Sequence, residues 1–516
     1  MPSIKMASVI IRLMIQAFLY CLMVQIGFGI EYYVAAVYEH HSILNSNPTA
    51  LSDRKSALEF MFRNLDIYEQ QVNIASKKGV QIIVFPEDGI HGFNYSRMSI
   101  YPYLDLLPSS YSLTWNPCLE PNKFQDTEVL QRLSCMAKEG RMFVVANLGT
   151  KVPCEQEDPK CPPDGRYHFN TNVVFSDNGT LIARYFKQNL YFEYGFDIPP
   201  HVQHVIFHTP FARFGLFTCF DILFYEPVVT LIEKFKVKHL VYPTAWMNQL
   251  PLLSSIQIHR AFATGFNINI LAANIHHTTL GMSGSGIFSP LSSSYHFDMG
   301  SENGQLIIAK VPVDPSEELC QGDEDWGSVL KSETFEDNVI YTSSQSCHSE
   351  DRNGHCGGGA AGEYGSFNAE MMYDNFTFVP LNTSQGTIQV CGGKLCCYVT
   401  YQKQNSTKEL YALGVFDGLH TVHGQYSLQI CALVKCGSLN ATTCGQEVTD
   451  ANGVFTFKLW GNFSTKYVFP MIVTSGVNLQ LPDWWGWKDN HCYMRKKTMD
   501  LGLVTAALYG RYYERD

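Results

Sequence analysis

Between Tyr32 and about Lys310, apolar residues follow two alternating rhythms. YYVAAVY and VQIIVFP are short continuous apolar runs, the pattern of strands buried on both faces. Between them, SALEFMFRNLDIYEQQVNIASKKG places apolar residues at helical spacing and stops at a glycine. TEVLQRLSCMAKEG repeats the helical rhythm before the strand MFVVANLG. NTNVVFS and TLIARYF flank Asp-Asn-Gly and predict a hairpin. HVIFHT and FGLFTCF predict a second strand pair. Helices near VVTLIEKFK and SIQIHRAFATGF separate the strands VKHLVYP and INILAANI, and HFDMG with QLIIAKV closes the unit. Hairpins set within an αβ alternation predict an α/β fold with mixed, helix-covered sheets. A dinucleotide fold is disfavoured, because no Gly-x-Gly piece lies in fingerprint order between a strand and a helix.

The rhythm fades from 314 to 362, a stretch rich in Ser, Glu, Gly and Cys that reads as a linker or surface insertion. From 363 to 516 it becomes a series of short strands split by Gly, Asn and Asp: TIQVCGGKLCCYVTYQ, ELYALGVFD, YSLQICALVKC, VFTFKLWG, KYVFPMIVTSG and VTAALYGRYY. This predicts a mainly β second domain. At the other end, Lys5 and Arg12 precede LMIQAFLYCLMVQIGFG. That pattern predicts a signal peptide over 1–29, a catalytic domain over 30–313 and an exported product. A membrane anchor is the rival for the same run. With no second long apolar run, a soluble product without a stable membrane anchor is expected.

A chain of 516 residues accommodates more than one core. Its formal net charge of −11, without a Lys/Arg block, argues against a nucleic-acid partner. Sixteen cysteines fit an oxidising compartment. Removing Cys21 with the signal leaves fifteen, and a free Cys219 would leave fourteen to pair. Cys154 and Cys161 flank EQEDPK as a local staple, and seven cysteines from Cys391 to Cys492 crowd the last third. A zinc cluster is the alternative there, disfavoured by the absence of a regular CxxC repeat. Seven N-x-Ser/Thr sites, at Asn94, Asn178, Asn375, Asn382, Asn405, Asn440 and Asn462, predict surface glycans.

Three polar residues close predicted strands: Glu87 after QIIVFP, Lys187 after LIARYF and Cys219 after FGLFT. Strand ends of an αβ sheet converge on one edge, so residues distant in sequence can share a pocket there. A thiol is nucleophilic as its thiolate. Glu87 is the candidate base, and a Lys187 ammonium would favour both the thiolate and an oxyanion. Taken singly, Cys219 reads more often as a core cysteine or a disulfide half, Glu87 as a strand-end or helix-capping carboxylate and Lys187 as a solvated strand terminus. His91, His276 and His277 also lie near strand ends and leave a histidine-based site open.

FPEDGIHGF around Glu87, ARYFKQNLYFE around Lys187, GLFTCFDILF around Cys219 and PTAWMNQLP around Trp246 together resemble the nitrilase superfamily. Within it they look like the branch of biotinidases and vanins (pantetheinases). EYYVAAVYEH, LAANIHH, MMYDNFT, KELYALGVFDGLHTVHG and WGNFSTKYVFP extend the likeness, most closely to biotinidases, across both domains. The resemblance implies a layered αββα catalytic domain, with Glu87 as general base, Lys187 as stabilising cation and Cys219 as nucleophile. It implies a Phe220 backbone N–H at the oxyanion and a supporting role for Glu193. Tyr191, Phe192, Trp246 and His277 become candidate pocket walls. Hydrolysis of biocytin and short biotinyl peptides through a thioester is the implied activity, with no metal or organic cofactor. Protein lysines are candidate biotinyl acceptors, and a monomer is expected. Pantetheine hydrolysis, or biotin binding without turnover, would use the same residues.

Overall fold

The computed structural model describes residues 32–108, 115–155, 157–316, 365–404 and 407–516. The signal segment, nearly all of the 314–362 stretch and the sequon at Asn405 lie outside these residues. No described helix is long and apolar enough to cross a membrane.

The first unit stacks two sheets. In one, the strand order is Gln305–Pro312, Tyr32–Glu39, Ile82–Val84, Phe143–Pro153, Arg166–Phe175 and Leu181–Phe186. In the other it is Ser293–His296, Ser285–Phe288, Asn269–Ala273, His239–Pro243, Arg213–Leu216 and Val205–His208. Both are mixed. Ala35 pairs in parallel with Ile82, while Tyr32 pairs antiparallel with Pro312. The continuous apolar runs follow from burial on both faces. Ala35 and Val37 face the core between the sheets, and Ala36 and Tyr38 face the outer helices. Those helices are Arg54–Lys77, capped by the Asp53 side chain on Ser56 N, and Glu128–Gly140. HFDMG is mostly not a strand: the edge strand is Ser293–His296, shifted toward the N-terminus, and the sequence then turns through Asp298, which caps Gly300 and Ser301. The helix near VVTLIEKFK is only one turn, Thr230–Glu233, preceded by a wider turn that begins at Tyr225.

The second unit is a sandwich of a seven-stranded and a five-stranded sheet. Leu395, Val399, Leu433, Phe457 and Leu459 pack between them. The other face of its larger sheet continues the core of the first unit. Helix Ser255–Phe266 lies between them, with Phe262 stacked on Phe469 at 5.2 Å and Gly265 admitting the same ring. Arg511, 1 % exposed, crosses the junction. Its Nε donates to the Leu223 carbonyl (2.7 Å), and its other nitrogens donate to the Ser427 carbonyl and Asp516.

Among the described residues five disulfides form: Cys118–Cys135, Cys154–Cys161, Cys391–Cys396, Cys397–Cys431 and Cys436–Cys444. The local staple at Cys154 is one of them. Among the described residues Cys219 and Cys492 are free thiols, while Cys320, Cys347 and Cys356 lie outside them. Asn94, Asn178, Asn375, Asn382, Asn440 and Asn462 are all exposed.

Candidate active site

Each of the three strand-end residues is buried, and all three meet. Glu87 follows the Ile82–Val84 strand, Lys187 ends Leu181–Phe186, and Cys219 opens the short helical turn Cys219–Leu223 after Arg213–Leu216. Cys219 takes φ +43, a left-handed conformation that a non-glycine residue keeps only where its surroundings hold it. They do. Tyr242 Oη donates to the Cys219 carbonyl (2.7 Å) while its ring stacks on Phe217 at 4.6 Å. Asp221 accepts from Thr218 N (3.0 Å), Tyr185 Oη (2.7 Å) and Asn189 N (2.9 Å). The Arg511 bond to Leu223 fixes the far end of the same turn.

Lys187 Nζ donates to Glu87 Oε1 and to Glu193 Oε2, each at 2.6 Å. Burial works against the ammonium, but Glu193 and Glu87 outweigh it and hold the lysine well above its ordinary value. Glu87 Oε2 accepts from Ala245 N at 3.0 Å. Burial pushes the Glu87 carboxyl up, opposed by Lys187 and by a hydrogen bond with Cys219. Asp88 sits beside this group at φ +56, with carboxylate oxygens of Glu87, Asp88 and Glu193 within 4.8 Å of one another. Burial first, then Glu87 and Glu193, push the Asp88 carboxyl well above its ordinary value, opposed by Lys187.

At Cys219 the Lys187 ammonium favours the thiolate, but burial weighs more. Burial and the Glu87 charge raise the thiol well above its ordinary value, and Lys187 opposes them only in part. The lysine charge is already matched by two carboxylates.

Three asparagines that sequence reading missed tie the group together. Asn170 Nδ2 donates to Glu87 Oε1 (2.8 Å) and Glu193 Oε1 (2.5 Å). Asn147 Nδ2 donates to Asn170 Oδ1 (2.6 Å) and Asn172 Oδ1 (2.9 Å), and its Oδ1 accepts from Asp88 N (3.0 Å). Asn172 Nδ2 reaches the Phe217 carbonyl (3.0 Å) and Thr218 Oγ1 (2.8 Å). All three are buried, and together they join the Glu87, Lys187 and Cys219 segments. Their one sequence signal is alternation: Asn170 and Asn172 stand two apart, on one face of the strand Arg166–Phe175.

The candidate walls divide. Tyr191 lies edge-on to Phe220 at 5.1 Å and to Phe192 at 4.8 Å, beside the nucleophile. Trp246 is buried in the core and donates from Nε1 to the Leu253 carbonyl (2.9 Å), which fixes its loop. His277 hydrogen-bonds Thr279 (2.9 Å) and stacks on His41 at 6.3 Å, away from the trio. His91 is held low, to about 4, chiefly by burial, and its Nδ1 bonds the Gly92 carbonyl at 2.6 Å. His276 is paired with Glu39 (2.6 Å). None of these histidines hydrogen-bonds Cys219 among the described residues. A metal has no vacant place among Glu87, Asp88 and Glu193, because the Lys187 ammonium already bridges Glu87 and Glu193.

Residues 55–311 match the carbon-nitrogen hydrolase model, and 366–516 match the vanin C-terminal domain. Mouse biotinidase is 59% identical over 94% of this chain and 94% of its own length. The chain belongs to the carbon-nitrogen hydrolase family. Human biotinidase is 58% identical over 94% of this chain and 90% of its own, and human pantetheinase 43% over 94% and 90%. As a carbon-nitrogen hydrolase the chain is an enzyme that cleaves amides. Its site holds carboxyl groups, a lysine ammonium and a thiol in one buried cluster, the functional groups that acyl transfer to sulfur uses.

Proposed function

We propose that this chain hydrolyses biotin amides, freeing biotin from biocytin and short biotinyl peptides through a thioester on Cys219. The observation that carries the proposal is the convergence of Cys219, Glu87 and Lys187 in one buried cluster, in a chain so similar to biotinidases over nearly its whole length.

Glu87 takes the thiol proton as Sγ attacks the amide carbonyl. Delaying ionisation until attack suits a thiol held protonated by burial, because substrate then covers the charge as it forms. The developing oxyanion is met by Lys187 Nζ and by the Phe220 N–H, which stands in the first turn of Cys219–Leu223 and so lacks an acceptor within it. Glu193 keeps Lys187 aimed and charged when Glu87 is protonated. Glu87 then passes its proton to the leaving amine, and the C–N bond breaks. In the second half Glu87 takes a proton from water. Hydroxide attacks the thioester, sulfur leaves and is reprotonated, and biotin departs as the free acid. Removing one oxyanion donor of this kind costs about 3 kcal/mol in the transition state. The five disulfides and six exposed sequons among the described residues support an exported, glycosylated product.

The test is a paired assay of the full chain: biotin release from biocytin against cysteamine release from pantetheine. A larger kcat/KM on biocytin is expected. A strong preference for pantetheine would overturn the substrate assignment and leave the thiol chemistry standing.

A further inference from the structure

Two turns of the second domain reach the mouth of the Cys219 site. Strands Phe367–Met371 and Asp374–Pro380 are joined through Met372 and Tyr373, both with positive φ (+57 and +67). Strands Tyr411–His420 and Tyr426–Lys435 are joined through residues 421–425, where His423 (φ +61) and Gly424 (φ +139) turn the chain back. The His423 ring stands edge-on to Tyr373 at 5.2 Å, to Phe192 at 5.7 Å and to Tyr191 at 6.3 Å. Tyr191 meets Phe220, the residue that follows the nucleophile. A Cβ at position 424 would lie 2.7 Å from Phe220 Cζ, so glycine lets this turn close onto that ring.

An unbroken path of rings therefore runs from the residue next to Cys219 across the domain junction to Tyr373. It is not core packing: Phe192 is 53 % exposed, Tyr373 is 49 % exposed, and His423 is exposed as well. Rings that stay open to water beside a nucleophile offer edges and faces to an apolar ring of the substrate.

We propose that His423 and Tyr373, supplied by the second domain, form with Phe192 and Tyr191 the wall that holds the ring of the acyl group, and that they set substrate preference without taking part in the chemistry. The assignment rests on the biotin-amide reading for the identity of that ring. The second domain is then part of the substrate site as well as a support for the fold.

The experiment compares the wild-type full chain with His423→Ala, His423→Phe and Tyr373→Ala on two amides of one amine, biotinyl and hexanoyl. Both alanine variants should raise KM for the biotinyl amide about three- to tenfold, the loss expected for one aromatic contact, with kcat within about twofold. KM for the hexanoyl amide should not move, and His423→Phe should restore the biotinyl value. Equal shifts on both substrates, an unmoved biotinyl KM, or a loss confined to kcat would overturn the assignment. A second readout does not depend on biotin: relative alkylation of Cys219 by N-phenylmaleimide and N-methylmaleimide. The wild type should favour the phenyl reagent, and the alanine variants should lose that preference. An unchanged preference overturns the wall. A wild type that alkylates as expected yet leaves the biotinyl amide intact overturns the functional reading alone.

Discussion

Asn170→Leu isolates what the buried asparagines contribute, because leucine keeps the volume and removes only the polar amide. Asn170 donates one amide to Glu87 (2.8 Å) and to Glu193 (2.5 Å), both oxygens that Lys187 also serves through the partner atoms of each carboxylate or directly. A hydrogen bond to a charged group is worth about 1.5–3 kcal/mol. For Glu87 that loss falls on the ionised form alone, and about 1.4 kcal/mol corresponds to one pKa unit. The base should therefore titrate about 1 to 2 units higher, above a value already raised by burial. Asn147 keeps its bond to Asn172 (2.9 Å), so the strand pairing survives and the variant should fold. The assay is kcat/KM for a biotinyl amide against pH, with the near-ultraviolet circular dichroism as the check on folding. The acid limb should move to higher pH, with a smaller loss on the plateau. A folded variant with an unmoved acid limb would refute the idea that Asn170 holds Glu87 ionised.

Further expectations follow from the same geometry. In the unaltered chain the active form needs Glu87 ionised, so activity should fall as pH drops through a value above the ordinary 4.5, and an alkaline limb from the thiol should appear only above 9.0; a resting thiolate, seen as ultraviolet absorbance of Cys219 at neutral pH, would contradict this. Lys187→Met should lower kcat by about a hundredfold or more, because an oxyanion donor is lost, and a near-normal kcat would count against that role. Arg511→Met removes the guanidinium donors to the Leu223 and Ser427 carbonyls and to Asp516, so a loss of about 1.5–3 kcal/mol in denaturant unfolding is expected, together with faster alkylation of Cys219; unchanged stability and unchanged alkylation would show that the guanidinium does not brace the turn.

How much of this was legible depended on how local each cause is. The strands buried on both faces announce themselves as unbroken apolar runs, so Glu87, Lys187 and Cys219 stand out as the polar residues that end them. The edge of the second sheet did not, because Ser293–His296 is polar and half exposed and its placement depends on pairing with Ser285–Phe288. Asn147, Asn170 and Asn172 look like interruptions in a strand, and only the cross-strand register makes them a network. The charge state of Cys219 depends on burial, which no spacing of residues reveals. Tyr373 and His423 are turn residues about 150 to 200 positions after the nucleophile, and only the docking of the second sheet brings them to it.

The central claim is that Cys219 carries the acyl group. Intact-protein mass spectrometry after rapid acid quench, with a biotinyl ester whose acylation outruns hydrolysis, tests it most directly. A mass increase equal to one biotinyl group, mapped by proteolysis to Cys219 and absent from Cys219→Ala, is the predicted result. Full turnover by Cys219→Ala, or an adduct placed on another residue, would contradict it.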